Sequence, residues 1–156
     1  MNLKQRIDQD MKLAQKSGDK LKLSLTRLLK SEIHYRKIKK GEELSEKEVL
    51  EVLSSAVKKH RDSIEQFRKG GREDLAKQEE EELNLILGYM PEQLSQEEIE
   101  NLIEESIAEV GAKSERDIGK VMKALMPKIK GRADGKAVNL QVSSKLKSPI
   151  KDEGLS

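Results

Sequence analysis

The chain has 156 residues, of which 35% are apolar and 38% charged, and its formal net charge is +2. The absence of cysteine excludes disulfides and thiolate metal sites, and it fits a reducing, cytoplasmic environment. No apolar run approaches the ~20 residues that a membrane-spanning helix needs, and the polar, acid-containing N-terminus is unlike a signal peptide. We therefore expect a cytoplasmic protein with no membrane partner.

The first 90 residues carry four successive helical periods of apolar side chains. Strand-length runs of β-branched residues are absent, and residues that lose little rotamer freedom in a helix are frequent. The positions predicted to be buried are, helix by helix, Leu3, Ile7, Met11 and Ala14; Leu21, Leu25, Leu28, Leu29 and Ile33; Val49, Leu53, Ala56, Val57, His60, Ile64 and Phe67; Leu75, Leu83, Ile86 and Met90. Because the second and third periods are long, we predict an N-terminal helical hairpin or bundle over residues 1–90.

Three polar features of this half need an interpretation. The basic run Arg36–Lys40 ends the second helix, where cations favour the helix dipole, and an RNA-facing surface is the alternative. The consecutive glutamates Glu79–Glu82 lie in the middle of the fourth helix, and we expect them to be solvated. His60 falls within the apolar period of the third helix, so we expect a packed core histidine and not a catalytic or metal-binding one.

Pro91 marks a domain boundary, because the residue before a proline is pushed out of the helical region. We predict a connector at 91–94, a C-terminal domain of three helices at 95–147 and a flexible tail at 148–156. The predicted fold class is all-α.

The three C-terminal helices have separate start and stop signals. Ser95 and Glu98 form a capping box, and the helix that follows carries six acids and no base up to Glu109. In the next helix, Pro127 should cause a kink or a stop, because proline lacks a backbone donor and clashes with the preceding turn. Asp134 is a good N-cap for the last helix.

Residue patterns that carry catalysis are missing from the sequence. The two histidines, His34 and His60, lie in different helices with no carboxylate motif around them, and no G-x-S-x-G pattern is present. The segment Gly131–Lys136 resembles a phosphate-binding loop, but only three residues separate its glycines and Ala137 follows the lysine. We predict no catalytic residue, no metal site and no cofactor.

The stretch from Gly119 to Lys136 is the strongest functional signal, since it holds six basic residues and one acid around a glycine-rich turn. Lysine, arginine and backbone N–H groups contact nucleic-acid phosphates, and the absence of aromatics here favours a folded RNA over a single strand. The candidate RNA-binding residues are Lys120, Lys123, Lys128, Lys130, Gly131, Arg132, Gly135 and Lys136. The alternative is a solvated cationic face that pairs with the acidic fifth helix.

Several motifs in the second half carry a family resemblance. They are Tyr89–Ser95, Glu109–Ala112, Gly119–Met122 and Met126–Gly135. With these motifs the chain resembles the YqeY family over about residues 2–147. Its second half is similar to the C-terminal tail of the B subunit of the tRNA-dependent amidotransferase, a small helical domain that touches the tRNA.

The resemblance implies a two-domain, all-α protein of the GatB/YqeY type that binds tRNA or another structured RNA. If the chain is instead a protein-interaction module, we expect its N-terminal helices to dock onto a partner such as a tRNA amidotransferase or an aminoacyl-tRNA synthetase. Carbon–nitrogen ligase activity with glutamine as amide donor belongs to the larger enzyme, and no position here matches its amidase Ser-Lys pair or an ATP site. The function we expect is therefore a non-catalytic one, with a protein-interaction module and an amide-transferring enzyme as alternatives.

Overall fold

A computed structural model describes residues 1–147, and among these residues it contains seven α-helices, one 3-10 turn and no strand. The all-α prediction is confirmed. The chain divides into two compact units, Met1–Pro91 and a second unit that begins at Glu92. The predicted tail at 148–156 lies outside the described residues. No helix within 1–147 is long and apolar enough to cross a membrane.

Four helices build the first unit. They are α1 Leu3–Ser17, α2 Lys20–Lys40, α3 Glu46–Lys69 and α4 Glu73–Leu87. Local signals set their ends: Gly18 adopts the left-handed conformation with φ 78°, which ends α1, and Asp19 then caps α2 by accepting a bond from the Lys22 N–H. Ser45 and Glu48 form a full capping box at the start of α3.

The main core of the first unit lies between α1, α2, α3 and the end of α4. Its buried residues are Leu3, Ile7, Leu25, Leu29, Ile33, Val49, Val52, Leu53, Ala56, Ile86 and Tyr89. A smaller cluster of Ile64, Ala76 and Leu83 lies between the later part of α3 and α4. Most of the side chains that the sequence predicted to be buried in these four helices therefore do face the core.

Leu28 was predicted to be buried, and this prediction is wrong, because the residue is 43% exposed. At about 100° per residue, the buried arc of α2 runs from Leu25 to Thr26, and Leu28 lies roughly 60° outside it. Thr26 is fully buried in its place and satisfies its hydroxyl by donating to the Lys22 carbonyl at 2.8 Å. A hydrophobic period alone does not identify a buried threonine, since threonine is polar.

Tyr89, the first residue of the family-like motif, is part of the first unit's core. Its hydroxyl donates a hydrogen bond to the Asp10 carboxylate, and the Arg6 guanidinium lies 5.3 Å from the ring centroid. Burial, and then the neighbouring Asp10, raise the pKa of Tyr89 well above its usual range. This tyrosine therefore ties the end of α4 to α1, which is a structural role.

The four consecutive glutamates of α4 do not share one environment, so the prediction that they are solvated is wrong for two of them. Glu79 and Glu82 are half-buried, with side chains 23% and 20% exposed, and both contact the buried ring of His60 on α3. Glu80 instead pairs with Arg68 at 2.7 Å. His60 is packed in the core, where only 7% of the residue is exposed.

The second unit contains three helices and a 3-10 turn. They are α5 Gln96–Val110, the turn Glu115–Asp117, α6 Ile118–Ile129 and α7 Gly135–Lys147. Capping boxes at Ser95 and Ser114 open α5 and the turn. The core consists of Ile103, Val121, Leu125, Ile129, Val138, Val142 and Leu146.

Of the two outcomes predicted for Pro127, a kink or a stop, the stop does not occur, because α6 continues to Ile129. The proline falls in the last turn, where it removes a single backbone hydrogen bond to the carbonyl of Lys123. The helix then closes normally, because the Lys130 N–H donates to the Met126 carbonyl at 2.9 Å.

Candidate nucleic-acid interface

Three exposed lysines of α6 and its C-cap, Lys120, Lys123 and Lys130, form what we call the lysine row. The opposite side of α6 carries the buried residues Val121 and Leu125, which fix the helix in the core. With a rise of about 1.5 Å per residue, the row extends over roughly 15 Å. Its cations are therefore presented by a rigid element, at a length that spans several phosphates.

The lysine row is open to solvent at its N-terminal end. The Lys120 side chain is 72% exposed, and its ammonium lies 4.0 Å from the Asp117 carboxylate. Exposed ion pairs at such a distance contribute little, so Lys120 is available to a polyanion. Among residues 1–147, no carboxylate lies within ion-pair distance of Lys123.

Lys128, another of the candidate RNA-binding residues, does not share this exposed face. Its side chain is only 25% exposed, and its ammonium contacts Glu109 at 2.9 Å and Glu105 at 3.2 Å. At about 100° per residue, Lys128 lies roughly 20° from the buried Val121 and so faces α5. The hydrogen bond that Lys128 donates to Glu109, followed by the one it donates to Glu105, raises the pKa of Lys128 and joins α5 to α6.

The acidic face of α5 also pairs with the last helix, because Lys145 of α7 contacts Glu104 at 2.7 Å. The alternative stated from the sequence, a cationic face that pairs with the fifth helix, thus describes Lys128 and Lys145. It does not describe Lys120 or Lys123.

Arg132 lies in the turn between α6 and α7 and is half-buried. Its Nε donates to the carbonyl of Glu92 at 3.2 Å, and its own carbonyl accepts from the Leu94 N–H at 2.8 Å. The side chain of Gln93 donates to the Gly131 carbonyl at 2.9 Å. Arg132 therefore holds the turn against the preceding segment, which is a positioning role.

Asp134 caps α7, as predicted, by accepting from the backbone N–H of Lys136 at 3.2 Å. The carboxylate of Asp134 thus occupies the start of α7, where an external phosphate would otherwise find free N–H groups. The exposed Lys136 side chain remains as the contribution of this turn to the cationic surface.

The two glycines of the turn have different roles. Gly131 has φ 76°, a left-handed conformation that costs other residues about 1–2 kcal/mol, whereas Gly135 is an ordinary first residue of α7. A Cβ on Gly135 would meet the Met126 Cε at 3.7 Å, an ordinary contact. Only Gly131 is required by the backbone.

We expect Gly131→Ala to lower the free energy of unfolding by about 1–2 kcal/mol, because alanine is strained at this φ. Gly135→Ala is the matched control and should be neutral or slightly stabilising, because alanine favours helix. Urea denaturation of both variants checks this prediction. Equal stabilities would contradict it.

Sequence reasoning missed two exposed cations, Lys113 and Arg116, that precede Lys120. They lie beside the Ser114 cap and the 3-10 turn that leads into α6. Their signal was present as a continuation of the basic stretch toward the N-terminus, interrupted by Glu115 and Asp117.

Comparison with known proteins identifies relatives over most of the chain. Residues 4–146 match the YqeY family, described as Yqey-like protein. The chain is 29% identical over 130 residues to "Altered inheritance of mitochondria protein 41, mitochondrial" of Pyrenophora tritici-repentis, which covers 82% of this chain and 71% of that protein. It is 34% identical over 94 residues to "Uncharacterized protein C22F3.15" of Schizosaccharomyces pombe, covering 60% of this chain and 76% of the relative.

A further relative is "Altered inheritance of mitochondria protein 41, mitochondrial" of Lachancea thermotolerans, 33% identical over 85 residues, with coverage of 54% of this chain and 46% of the relative. Two of these three relatives are named as mitochondrial proteins, and the word describes those proteins. The cytoplasmic location expected from the sequence stays a prediction for this chain.

Proposed function

The chain belongs to the YqeY family, and from this premise we propose that it binds structured RNA, tRNA above all, through the lysine row of its second unit. The binding makes and breaks no covalent bond. We place this activity in the cytoplasm, in keeping with a chain that has no cysteine.

The observation that carries the proposal is the exposure of Lys120 and Lys123 on a helix whose other face is fully buried. A lysine ammonium is a compact point charge that contacts backbone phosphates without reading bases. Lys130 and Lys136, both exposed, extend the cationic surface to the following turn. Such an arrangement favours binding by charge and shape over sequence-specific recognition.

The composition of the second unit favours a folded RNA over a single strand. All three aromatic residues of the chain, Tyr35, Phe67 and Tyr89, precede Glu92. Proteins that bind single strands stack bases on exposed aromatic rings, which the second unit does not have. The similarity of this half to the amidotransferase tail, which touches tRNA, points to the same class of ligand.

Titration of bulk tRNA into the protein at several salt concentrations tests the proposal. Each phosphate contact contributes about −0.9 to the slope of log K against log salt, so three to five contacts give a slope of about −2.7 to −4.5. Duplex RNA and a single-stranded homopolymer serve as comparison ligands, and we expect the structured RNA to bind more tightly. No binding at low salt, or binding that does not depend on salt, would reject the proposal.

A protein-interaction module is the second candidate, and an apolar face of α2 favours it. Leu28, Tyr35 and Ile38 are large apolar residues that are exposed on this helix. In this candidate function, the apolar face of α2 binds a tRNA amidotransferase or an aminoacyl-tRNA synthetase. A complex that survives nuclease treatment and depends on Tyr35 and Ile38, but not on the lysine row, would support this candidate.

The third alternative, a carbon–nitrogen ligase that uses glutamine, has a separate test. It requires ammonia release from glutamine and amidated product when the purified protein is given ATP and misacylated tRNA. Neither should form if the role is binding alone.

A further inference from the structure

A buried histidine and two half-buried glutamates converge in the first unit, remote in sequence from the lysine row. His60 of α3 places its Nε2 3.4 Å from Glu79 Oε2 and 3.1 Å from Glu82 Oε1, both on α4. One potential ligand atom from each residue lies within 4.8 Å of the others. The His60 side chain is 9% exposed, so its ring is held by the packing around it.

The second ring nitrogen of His60 determines what Nε2 offers to the two carboxylates. Nδ1 lies 2.8 Å from the Ala56 carbonyl, and because a carbonyl only accepts, Nδ1 must carry the hydrogen. In the neutral ring, Nε2 then has no hydrogen and directs a lone pair at two carboxylate oxygens. Three lone pairs that face each other accept a cation, and a proton on Nε2 is the one that competes with a metal ion for this place.

The same hydrogen bond is the one that metal-binding histidines make. A histidine ligand usually donates its other N–H to a backbone carbonyl or carboxylate, which fixes the tautomer and the ring orientation. The Ala56 carbonyl does this for His60 from one turn earlier in α3. The ring is therefore preorganised, with its free lone pair toward α4.

The two carboxylates repel each other where they stand. Glu79 and Glu82 are three residues apart on α4, which brings both onto one helical face. A cation with two charges would relieve the repulsion and use all three ligand atoms.

We propose that His60, Glu79 and Glu82 bind a divalent transition-metal cation that ties α3 to α4. Around a tetrahedral ion with bonds of about 2.0–2.1 Å, neighbouring ligand atoms are about 3.3–3.4 Å apart, close to the 3.1 and 3.4 Å measured from Nε2. One imidazole and two carboxylates suit Zn²⁺, Co²⁺ or Mn²⁺ better than Mg²⁺ or Ca²⁺, which prefer oxygen alone. Three protein ligands leave a position for water.

The location of the cluster indicates what the ion would do. The apolar cluster that α3 and α4 form next to these ligands in the sequence has three buried residues, Ile64, Ala76 and Leu83. A metal bound to ligands from both helices adds a cross-link beside this small core, so its effect should be on the stability of the first unit. The proposal does not depend on RNA binding by the second unit.

The full-length protein, first treated with a chelator, tests the proposal by titration with Co²⁺ and with Zn²⁺. We expect saturation at one metal per chain, visible absorption bands of low-coordinate Co²⁺, and displacement of Co²⁺ by Zn²⁺. At a free Zn²⁺ concentration 100 times the Kd, the melting temperature of the first unit should rise by about 10 °C or more. Mg²⁺ should produce neither effect at the same concentration.

Loss of a ligand should weaken Co²⁺ binding by about 100-fold or more, since removal of an outer-shell partner alone costs about 10- to 100-fold. The variants are His60→Gln and the double variant E79Q/E82Q. The double variant leaves the buried imidazole ring in place, so it still tests the proposal if His60→Gln fails to fold. Glu81→Gln is the matched control, because Glu81 is an exposed neighbour on the same helix and the charge change per residue is the same. Absence of saturable binding, or equal binding by E79Q/E82Q and E81Q, would overturn the proposal.

Discussion

Reversing the charge of the lysine row with K120E/K123E/K130E is expected to weaken tRNA binding by about 100-fold or more at 0.1 M salt. Each phosphate contact changes log K by about 0.9 for a tenfold change in salt concentration. Three contacts therefore account for a roughly 500-fold difference in affinity between 1 M and 0.1 M salt. The slope of log K against log salt should become shallower by about 2.7. Titrations of both proteins over a range of salt measure both quantities.

The control for this experiment keeps the total charge change and moves it to the first unit. Lys12, Lys16 and Lys58 are exposed there, and K12E/K16E/K58E changes the net charge by the same amount. We expect this variant to retain nearly all affinity, because contact between lysine and phosphate is short-range at this salt, where the Debye length is about 10 Å. Equal losses in the two variants would mean that net charge, and not the lysine row, governs binding.

Replacing Leu125 by alanine is expected to lower the free energy of unfolding of the second unit by about 2–5 kcal/mol. Leu125 is fully buried at the centre of α6, among residues of α5 and α7, and its truncation leaves a cavity in a small core. The effect is large relative to the stability of a small domain. The same variant should therefore lose tRNA binding through loss of the folded unit.

Hydrogen exchange separates this effect from changes elsewhere in the chain. Amide protection in α6 and α7 should fall in the Leu125→Ala variant, and protection in α3 reports on the first unit. Leu140→Ala is the matched control, because it is the same leucine-to-alanine change at a residue of α7 that is 65% exposed. The free energy of unfolding of the Leu140→Ala variant should stay within about 0.5 kcal/mol of that of the parent protein. If the two variants lost equal stability, the assignment of Leu125 to the core would be wrong.

Short-range patterns in the sequence were sufficient for the secondary structure. The serine–glutamate capping box at Ser95 predicted where α5 begins, because both partners lie within one turn. Pro127 shows where such a rule fails. Its cost depends on its position in the helix, and in the last turn it removes a bond that the helix end can lose.

The candidate site was predicted in part. The basic stretch identified α6 and its turn, and the exposure of Lys120 and Lys123 fits the expected surface. Lys128 differs because it lies at the boundary of the buried face, where the side that a lysine takes depends on which helix packs there. Two glutamates of α5 determine the direction of the Lys128 side chain, and the sequence alone does not say that Glu105 and Glu109 lie next to it.

By itself, the sequence determined that this protein is all-α, where most of its helices begin and end, and which stretch is basic, because periodicity, caps and charge act within a turn or two of the chain. Only the tertiary structure decided which charged groups meet. His60 and Glu82 are 22 residues apart and come together through the register of α3 against α4, while Lys128 and Glu105 meet through the packing of α6 on α5. Such contacts depend on how two helices are aligned, and no local pattern encodes that alignment.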